Sequence, residues 1–98
     1  MKYLVTGSGG QLAQEFIRRL ASRSDDYLAP PESQCDITDA AAVERVVGAY
    51  RPTIILNCAA YNLVDQAETD RETAARVNAM GPRNLAEAAQ RHGARLVH

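Results

Sequence analysis

The sequence predicts an α/β fold built on a parallel sheet. Short β-favouring segments alternate with longer segments of helical periodicity, in the order β-α-β-α-β-α-β. The third predicted strand, residues 53–60, is a continuous rather than an alternating apolar run, as expected when a parallel strand is covered on both faces. A glycine-rich run at residues 7–10 separates the first strand from the first helix. Together these features predict a Rossmann-type sheet with the doubly wound strand order 3-2-1-4 and helices on both faces.

The first half of the chain supplies two strands and one helix. Residues 2–6, Lys-Tyr-Leu-Val-Thr, favour a buried strand. Over residues 11–23 the apolar side chains recur at helical spacing with charged side chains opposite, which predicts an amphipathic helix. Residues 27–29 predict a weaker strand, closed by the prolines that follow it.

The second half adds two helices around the apolar strand, and a last strand. Asp39 is suited to cap a helix over residues 40–50. A long helix over residues 69–92 is predicted to end at Gly93, because glycine readily adopts the left-handed conformation of a C-cap. Residues 94–97 then form the final strand.

Length and composition indicate one small domain over residues 1–98. The chain carries a formal net charge of -1, so its charge does not suggest binding to nucleic acid. No run approaches the roughly 20 apolar residues that a membrane span requires, and no leader segment precedes the first strand, so the predicted location is the cytoplasm. Because the last strand runs to the final residues, we expect this to be the N-terminal portion of a longer chain. Cys35 and Cys58 lack C-x-x-C spacing and clustered histidines, so we interpret both as small, partly buried thiols.

The glycine-rich run fits a dinucleotide-binding motif in two registers, G-x-G-x-x-L and G-x-x-G-x-x-A, both starting at Gly7. The last motif position needs a small side chain because helix and strand approach closely there. Helical periodicity puts Ala13 in the buried stripe and Leu12 towards its edge, which favours the second register. Gly7 then turns the chain, and Gly10 leaves the backbone open to a pyrophosphate at the helix N-terminus. The alternative is that these glycines merely form a turn before a helix.

The favoured register resembles the signature of short-chain dehydrogenases/reductases, and further motifs resemble dTDP-4-dehydrorhamnose reductases over nearly the whole chain. These motifs are Thr6-Gly7 with Gly10-Gln11-Leu12, Asp36-Ile37-Thr38-Asp39, Asn57-Cys58-Ala59-Ala60-Tyr61, Val64-Asp65 with Ala67-Glu68, Val77-Asn78-Ala79, and Asn84-Leu85-Ala86. The resemblance implies NAD(P)H-dependent reduction of a nucleotide sugar, dTDP-4-dehydro-L-rhamnose, to dTDP-L-rhamnose. Sugar-nucleotide epimerases of the same superfamily usually have Gly-Gly-x-Gly-Phe-Ile-Gly at the turn, which Gln11-Leu12 does not match.

The resemblance also implies a site for NADPH or NADH. Its residues are Gly7, Gly10, Gln11, Leu12, Asp36, Ile37, Ala59, Ala60, Tyr61 and Asn62. Asp36 and Ile37 belong to the implied adenine pocket, where the Asp36 carboxylate accepts from the exocyclic amine; the alternative for Asp36 is an Asx turn or a helix cap. The chain departs from the family at Asn62, where threonine is more frequent. The choice between NADH and NADPH stays open, because residues 29–32 supply neither an acid nor an arginine at a determined position.

A proline in the long helix directs attention to Asn78. Pro82 has no N–H for the Asn78 carbonyl, so the Gly81-Pro82 pair predicts a break that frees this carbonyl. Short-chain dehydrogenases use a helical asparagine carbonyl to hold a water beside the catalytic lysine, and the resemblance makes Asn78 a candidate for that role. The alternative is a kink that only fits the helix around the sheet.

The proton-donating residues of the family are missing from these 98 residues. The family uses Tyr-x-x-x-Lys with a serine or threonine, whereas Lys2 is the only lysine and no tyrosine precedes a lysine at that spacing. We therefore expect the catalytic set beyond residue 98. Two alternatives remain: a non-catalytic NADP-binding regulator resembling the β subunit of methionine adenosyltransferase, and another nucleotide-sugar reductase or epimerase. Some relatives form magnesium-bridged homodimers through a glutamate near Glu15, but one carboxylate is too little to support a metal site.

Overall fold

The computed structural model describes residues 1–59 and 71–97, with the backbone alone for residues 71–78. The predicted alternation of strands and helices is confirmed, with bounds that differ by a few residues. In chain order the elements are β1 (Lys2–Thr6), α1 (Gln11–Ser22), β2 (Asp26–Leu28), α2 (Ala40–Tyr50), β3 (Ile54–Asn57), α3 (Arg71–His92) and β4 (Arg95–Val97).

The four strands form one parallel sheet in the order β2-β1-β3-β4. The predicted order 3-2-1-4 is therefore wrong for strands numbered along this chain, because β3 pairs with β1 instead of β2. Burial explains the difference. Ile55 and Leu56 of β3 are buried, whereas all three residues of β2 are exposed, so the sheet places its apolar strand centrally and its polar strand at the edge.

The segment between β2 and α2 forms turns instead of a third strand. Pro30 and Pro31 have no N–H to donate to a neighbouring strand, and the amides of Gln34 and Cys35 both donate to the Pro31 carbonyl, at 2.9 and 3.1 Å. In the classical doubly wound order the third strand lies outside the second. In that order the fourth strand pairs with the first. In this sheet β3 pairs with β1 and occupies that position.

Helices cover both faces of the sheet, as predicted. Successive side chains of a strand point to opposite faces, and β1 divides its residues accordingly. On the α1 face the buried residues are Tyr3, Val5, Ala13, Leu20 and Leu56. On the face covered by α2 and α3 they are Leu4, Cys35, Ile37, Val43, Val47, Ile55, Leu85, Ala88 and Ala89.

The helix ends confirm two sequence predictions. The Asp39 carboxylate accepts from the amides of Ala41 and Ala42, at 3.0 and 3.3 Å, so this residue is the N-cap of α2. Gly93 follows α3 with a φ of +72°, the left-handed conformation expected of a C-cap. Within the described residues, no helix is both long enough and apolar enough to span a membrane.

Candidate functional site

The turn after β1 lies directly against the chain that leaves β3. Gly7 has a φ of +72°, a conformation that residues with a Cβ rarely adopt. A Cβ at this position would lie 2.6 Å from the Cα and N of Ala59 and from the carbonyl carbon of Cys58. Only glycine therefore satisfies both the turn and the close approach, and the carboxyl ends of β1 and β3 meet at this point.

The N-terminus of α1 opens from the same turn. Gly10 is its N-cap, and its amide donates to the Gly7 carbonyl at 3.0 Å. No side chain of the described residues caps the helix, and its first turn contains no acidic residue. Within residues 1–59 and 71–97, a Cβ added to Gly10 would meet only the Gly7 carbonyl oxygen, at 3.5 Å. Among the described residues, the first N–H groups of α1 therefore lack a side-chain cap, and together with the positive end of the helix dipole they suit a phosphate group.

Burial in α1 supports the G-x-x-G-x-x-A register. Ala13 is fully buried in the cluster that contains Val5 and Leu56, whereas Leu12 is 59% exposed. A side chain larger than alanine would separate the helix from the sheet at position 13. Gly9 has no positive φ, and no atom of the described residues lies within 4 Å of a Cβ added there, so neither the backbone conformation nor a described contact requires glycine at this position. The predicted packing is confirmed, while cofactor contacts of Gln11 and Leu12 stay a prediction.

A buried polar network fixes the turn against β3. The Thr6 hydroxyl, on a residue that is 1% exposed, donates to Asn57 Oδ1 at 2.8 Å. The same oxygen accepts from the amide of Ala59 at 3.1 Å. Because a buried hydroxyl needs a partner, this network links the ends of both strands to the residue that Gly7 contacts. Thr6 and Asn57 appeared in the sequence motifs, but their shared role in supporting the turn was not predicted.

The segment after β2 is attached to the glycine-rich turn. The Ser8 hydroxyl donates to the Pro30 carbonyl at 3.1 Å, and the Gln14 side-chain amide donates to the Ser8 carbonyl. These bonds connect the turn both to α1 and to the region beyond β2. In dinucleotide-binding sheets the ribose next to the adenine lies in this region.

Asp36 forms an Asx turn. Its Oδ1 accepts from the amide and the hydroxyl of Thr38, at 3.0 and 2.7 Å. The Asx turn, which was the alternative to an adenine contact, is therefore present. Among the described residues no donor bonds to Oδ2. The carboxylate is therefore able to form an Asx turn with one oxygen and to accept from an adenine amine with the other, and the adenine contact stays a prediction.

The side chain of Ile37 lies in the hydrophobic core, which its predicted role in the adenine pocket did not anticipate. It is 4% exposed and belongs to the core cluster between the sheet and the helices α2 and α3. Its side chain is thus committed to the protein interior, and its predicted place in an adenine pocket depends on the backbone around it.

The remaining predicted residues are Ala60, Tyr61, Asn62 and Asn78. Ala60, Tyr61 and Asn62 lie outside the described residues, and the backbone of Asn78 lies within α3. The predicted break at Gly81-Pro82 is wrong, because α3 continues through Pro82. Burial of the following residues Leu85, Ala88 and Ala89 supports the helix despite the one donor that proline lacks. A role for Asn78 in holding water stays a prediction.

The thiols near the site are poorly suited to nucleophilic chemistry. Burial raises the pKa of Cys35, and the nearby Asp36 carboxylate raises it further against an opposing effect of Arg45. Burial also raises the pKa of Cys58. Both cysteines are free thiols, as predicted, and the described part of the chain contains no group of three or more metal-ligating side chains.

Comparison with known proteins decides the family. A family model described as "RmlD substrate binding domain" matches residues 1–98. The chain belongs to this family. A probable dTDP-4,6-dihydroxy-2-methyloxan-3-one 4-ketoreductase from Streptomyces antibioticus is 46% identical to this RmlD-family chain, over 100% of the chain and 34% of the relative. A dTDP-4-dehydrorhamnose reductase from Mycobacterium tuberculosis is 45% identical, over 99% of the chain and 31% of the relative.

A solved structure extends the similarity to the fold. The crystal structure of dTDP-4-dehydrorhamnose reductase from Bacillus anthracis, in complex with NADP, superposes on the RmlD-family chain with a TM-score of 0.91 at 41% identity. The match covers 99% of this chain and 35% of the solved chain. The chain thus spans about a third of the length of the relatives it matches.

Proposed function

We propose that these residues bind the dinucleotide of NADPH or NADH in a full-length reductase of dTDP-4-keto sugars. The observation that carries the proposal is the open N-terminus of α1 beside Gly7 and Gly10, at the carboxyl edge of a parallel sheet. An accessible backbone at Gly10 supports this placement of the cofactor: among the described residues an added Cβ there would have the Gly7 carbonyl oxygen as its neighbour, at 3.5 Å. The NADP complex of the solved relative supports the assignment.

Each part of the proposed site has its own group of residues. Gly7, Gly10, Gln11 and Leu12 hold the pyrophosphate through backbone N–H groups and the helix dipole. Asp36 and Ile37 form the adenine end. Ala59, with Ala60, Tyr61 and Asn62 after it, borders the cofactor where the chain leaves β3. The bound cofactor supplies a hydride, and the residues that protonate the reduced sugar are proposed to lie in the remainder of the full-length protein.

The proposed substrate is dTDP-4-dehydro-L-rhamnose, and the proposed product is dTDP-L-rhamnose. The dTDP-4-dehydrorhamnose reductases among the relatives support this choice. A related dTDP-sugar ketone is the second candidate, since the relative with 46% identity is described as a reductase of another dTDP-linked ketone. The cytoplasm is the proposed location, and a homodimer is the assembly that the resemblance implies; light scattering of the full-length protein tests the latter.

Cofactor titration followed by turnover tests the proposal. The full-length protein is titrated with NADPH and with NADH, and oxidation of each is then followed with dTDP-4-dehydro-L-rhamnose and with other dTDP-4-keto sugars. We expect binding of at least one cofactor and its oxidation by the rhamnose precursor. Binding without oxidation by any of these sugars would support a non-catalytic regulator, and a lack of binding would contradict the assigned site.

A further inference from the structure

A side-chain hydrogen bond connects α3 to the loop that contains Asp36. The Asn84 side-chain amide Nδ2 donates to the Ile37 carbonyl at 2.8 Å, although 47 residues separate the two in sequence. Asn84 is half-buried. The acceptor belongs to the peptide between Ile37 and Thr38, and the N–H of that same peptide donates to Asp36 Oδ1. The bond from Asn84 therefore holds the backbone of the proposed adenine end.

A glycine of α3 provides the space for the same residue. A Cβ at Gly81 would lie 2.3 Å from Ile37 Cδ1 and 2.7 Å from its Cγ1. The isoleucine side chain is buried and β-branched, so it has little freedom to move away. Gly81 thus forms a slot for the Ile37 side chain, while Asn84, one helical turn further on, holds its carbonyl.

The rest of the loop is restrained from its other end. Asp36 and Thr38 form the Asx turn, the Asp39 amide donates to the Asp36 carbonyl at 2.9 Å, and Asp39 caps α2. The direction of the Asp36 carboxylate therefore depends on the start of α2 and on contacts with α3. Among the described residues, no hydrogen bond joins either anchor to the glycine-rich turn.

We propose that Asn84 and Gly81 are positioning residues for the adenine end of the cofactor site, acting through the backbone of Ile37 on the Asp36 carboxylate. The inference rests on the proposed function, and assigns to α3 a role in cofactor affinity that is separate from the pyrophosphate turn. Loss of the Asn84 donor releases the loop, so it weakens adenine recognition while the turn that binds pyrophosphate stays intact.

The test compares Asn84→Ala with Arg83→Ala in the full-length protein. Arg83 neighbours Asn84 in α3. Its side chain is 79% exposed and pairs with Glu87 at the surface, so it is a matched control. The measurements are Kd for ADP, Kd for reduced nicotinamide mononucleotide, and KM and kcat for NADPH at saturating sugar. ADP contains the adenine half of the cofactor, and the mononucleotide contains the other half.

We expect Asn84→Ala to raise Kd for ADP and KM for NADPH about tenfold, the effect of losing one hydrogen bond at a half-buried site. The values of kcat and of Kd for the mononucleotide should stay within about twofold of the parent. Gly81→Ala should shift the same two quantities in the same direction, and Arg83→Ala should shift neither.

Two results would overturn the inference: an unchanged Kd for ADP in Asn84→Ala, or an equal loss of affinity for both cofactor halves. If urea denaturation shows that Asn84→Ala is unfolded, Asn84→Asp, which is nearly isosteric but has no amide donor, takes its place under the same criteria. A parent protein that binds neither ADP nor NADPH would overturn the proposed function itself, and the inference with it.

Discussion

Gly7 and Ala59 approach so closely that a single methyl group on Gly7 would lie 2.6 Å from the Ala59 backbone. This contact joins the turn after β1 to the chain that leaves β3, and it creates the edge at which the cofactor is proposed to bind. The positive φ of Gly7 is a second, independent reason why this position favours glycine.

Gly7→Ala should therefore destabilise the protein strongly. Left-handed backbone strain and overpacking against fixed backbone together predict a loss of about 2 to 5 kcal/mol in the free energy of unfolding. Urea denaturation of the full-length protein measures this loss. Gly9→Ala is the control, since an added Cβ there meets no atom of the described part of the chain within 4 Å, and it should change stability by less than about 0.5 kcal/mol. Equal effects of the two substitutions would contradict the role assigned to Gly7.

Thr6→Val should remove the buried hydrogen bond to Asn57 while nearly preserving side-chain shape. We expect a loss of about 1 kcal/mol in the free energy of unfolding, together with weaker NADPH binding, because the network supports Ala59 beside the turn. Thr6→Ser retains the hydroxyl and should retain more of the NADPH affinity than Thr6→Val. A valine variant with parental stability and affinity would show that the network has no supporting role.

Glu44 should make the stability of the fold depend on pH. Its hydrogen bond with His92 lowers the pKa of the Glu44 carboxyl, desolvation partly opposes this, and Arg91 lowers the pKa further. A carboxyl whose pKa is lower in the folded state than in the unfolded state stabilises the folded state. This contribution is fully present at pH values above the ordinary pKa of 4.5, and it disappears as the pH falls through the pKa of the folded state.

The comparison of parent and Glu44→Gln tests this pH dependence. The parent should be more stable than the variant at pH 7, and the difference should shrink as the pH falls below 4.5. Urea midpoints at a series of pH values measure it. Glu87→Gln is the control. Glu87 and Arg83 both belong to α3 and pair on its exposed surface, where ion pairs contribute little to stability. A difference that is independent of pH would refute the assignment.

Local sequence signals predicted the helices better than the arrangement of the sheet. Asp39 caps its own helix through contacts with residues two and three positions away, so α2 has the predicted bounds. Strand order depends on pairing between distant residues, and the doubly wound pattern suggested a neighbour for β3 that the chain does not use. The exposed residues of β2 and the buried residues of β3 explain the observed order.

The candidate site shows the same division between local and long-range information. The small residue at Ala13 identified the register of the glycine motif, since helical periodicity is a local property. The bond from Asn84 to Ile37 has no such signature. A glycine inside a helical segment, Gly81, was a usable signal of a close contact, but its partner became evident only from the three-dimensional structure.

The most direct test of the central claim is the affinity of Gly10→Val for NADPH, measured beside Gly9→Val by titration of the full-length proteins. Both variants add the same side chain to neighbouring positions, and urea denaturation verifies that each is folded. If the pyrophosphate binds at the N-terminus of α1, Gly10→Val raises Kd by more than about tenfold, equal to about 1.4 kcal/mol, while Gly9→Val has a much smaller effect. An unchanged Kd in Gly10→Val, or an equal loss in both variants, would contradict the assigned phosphate site.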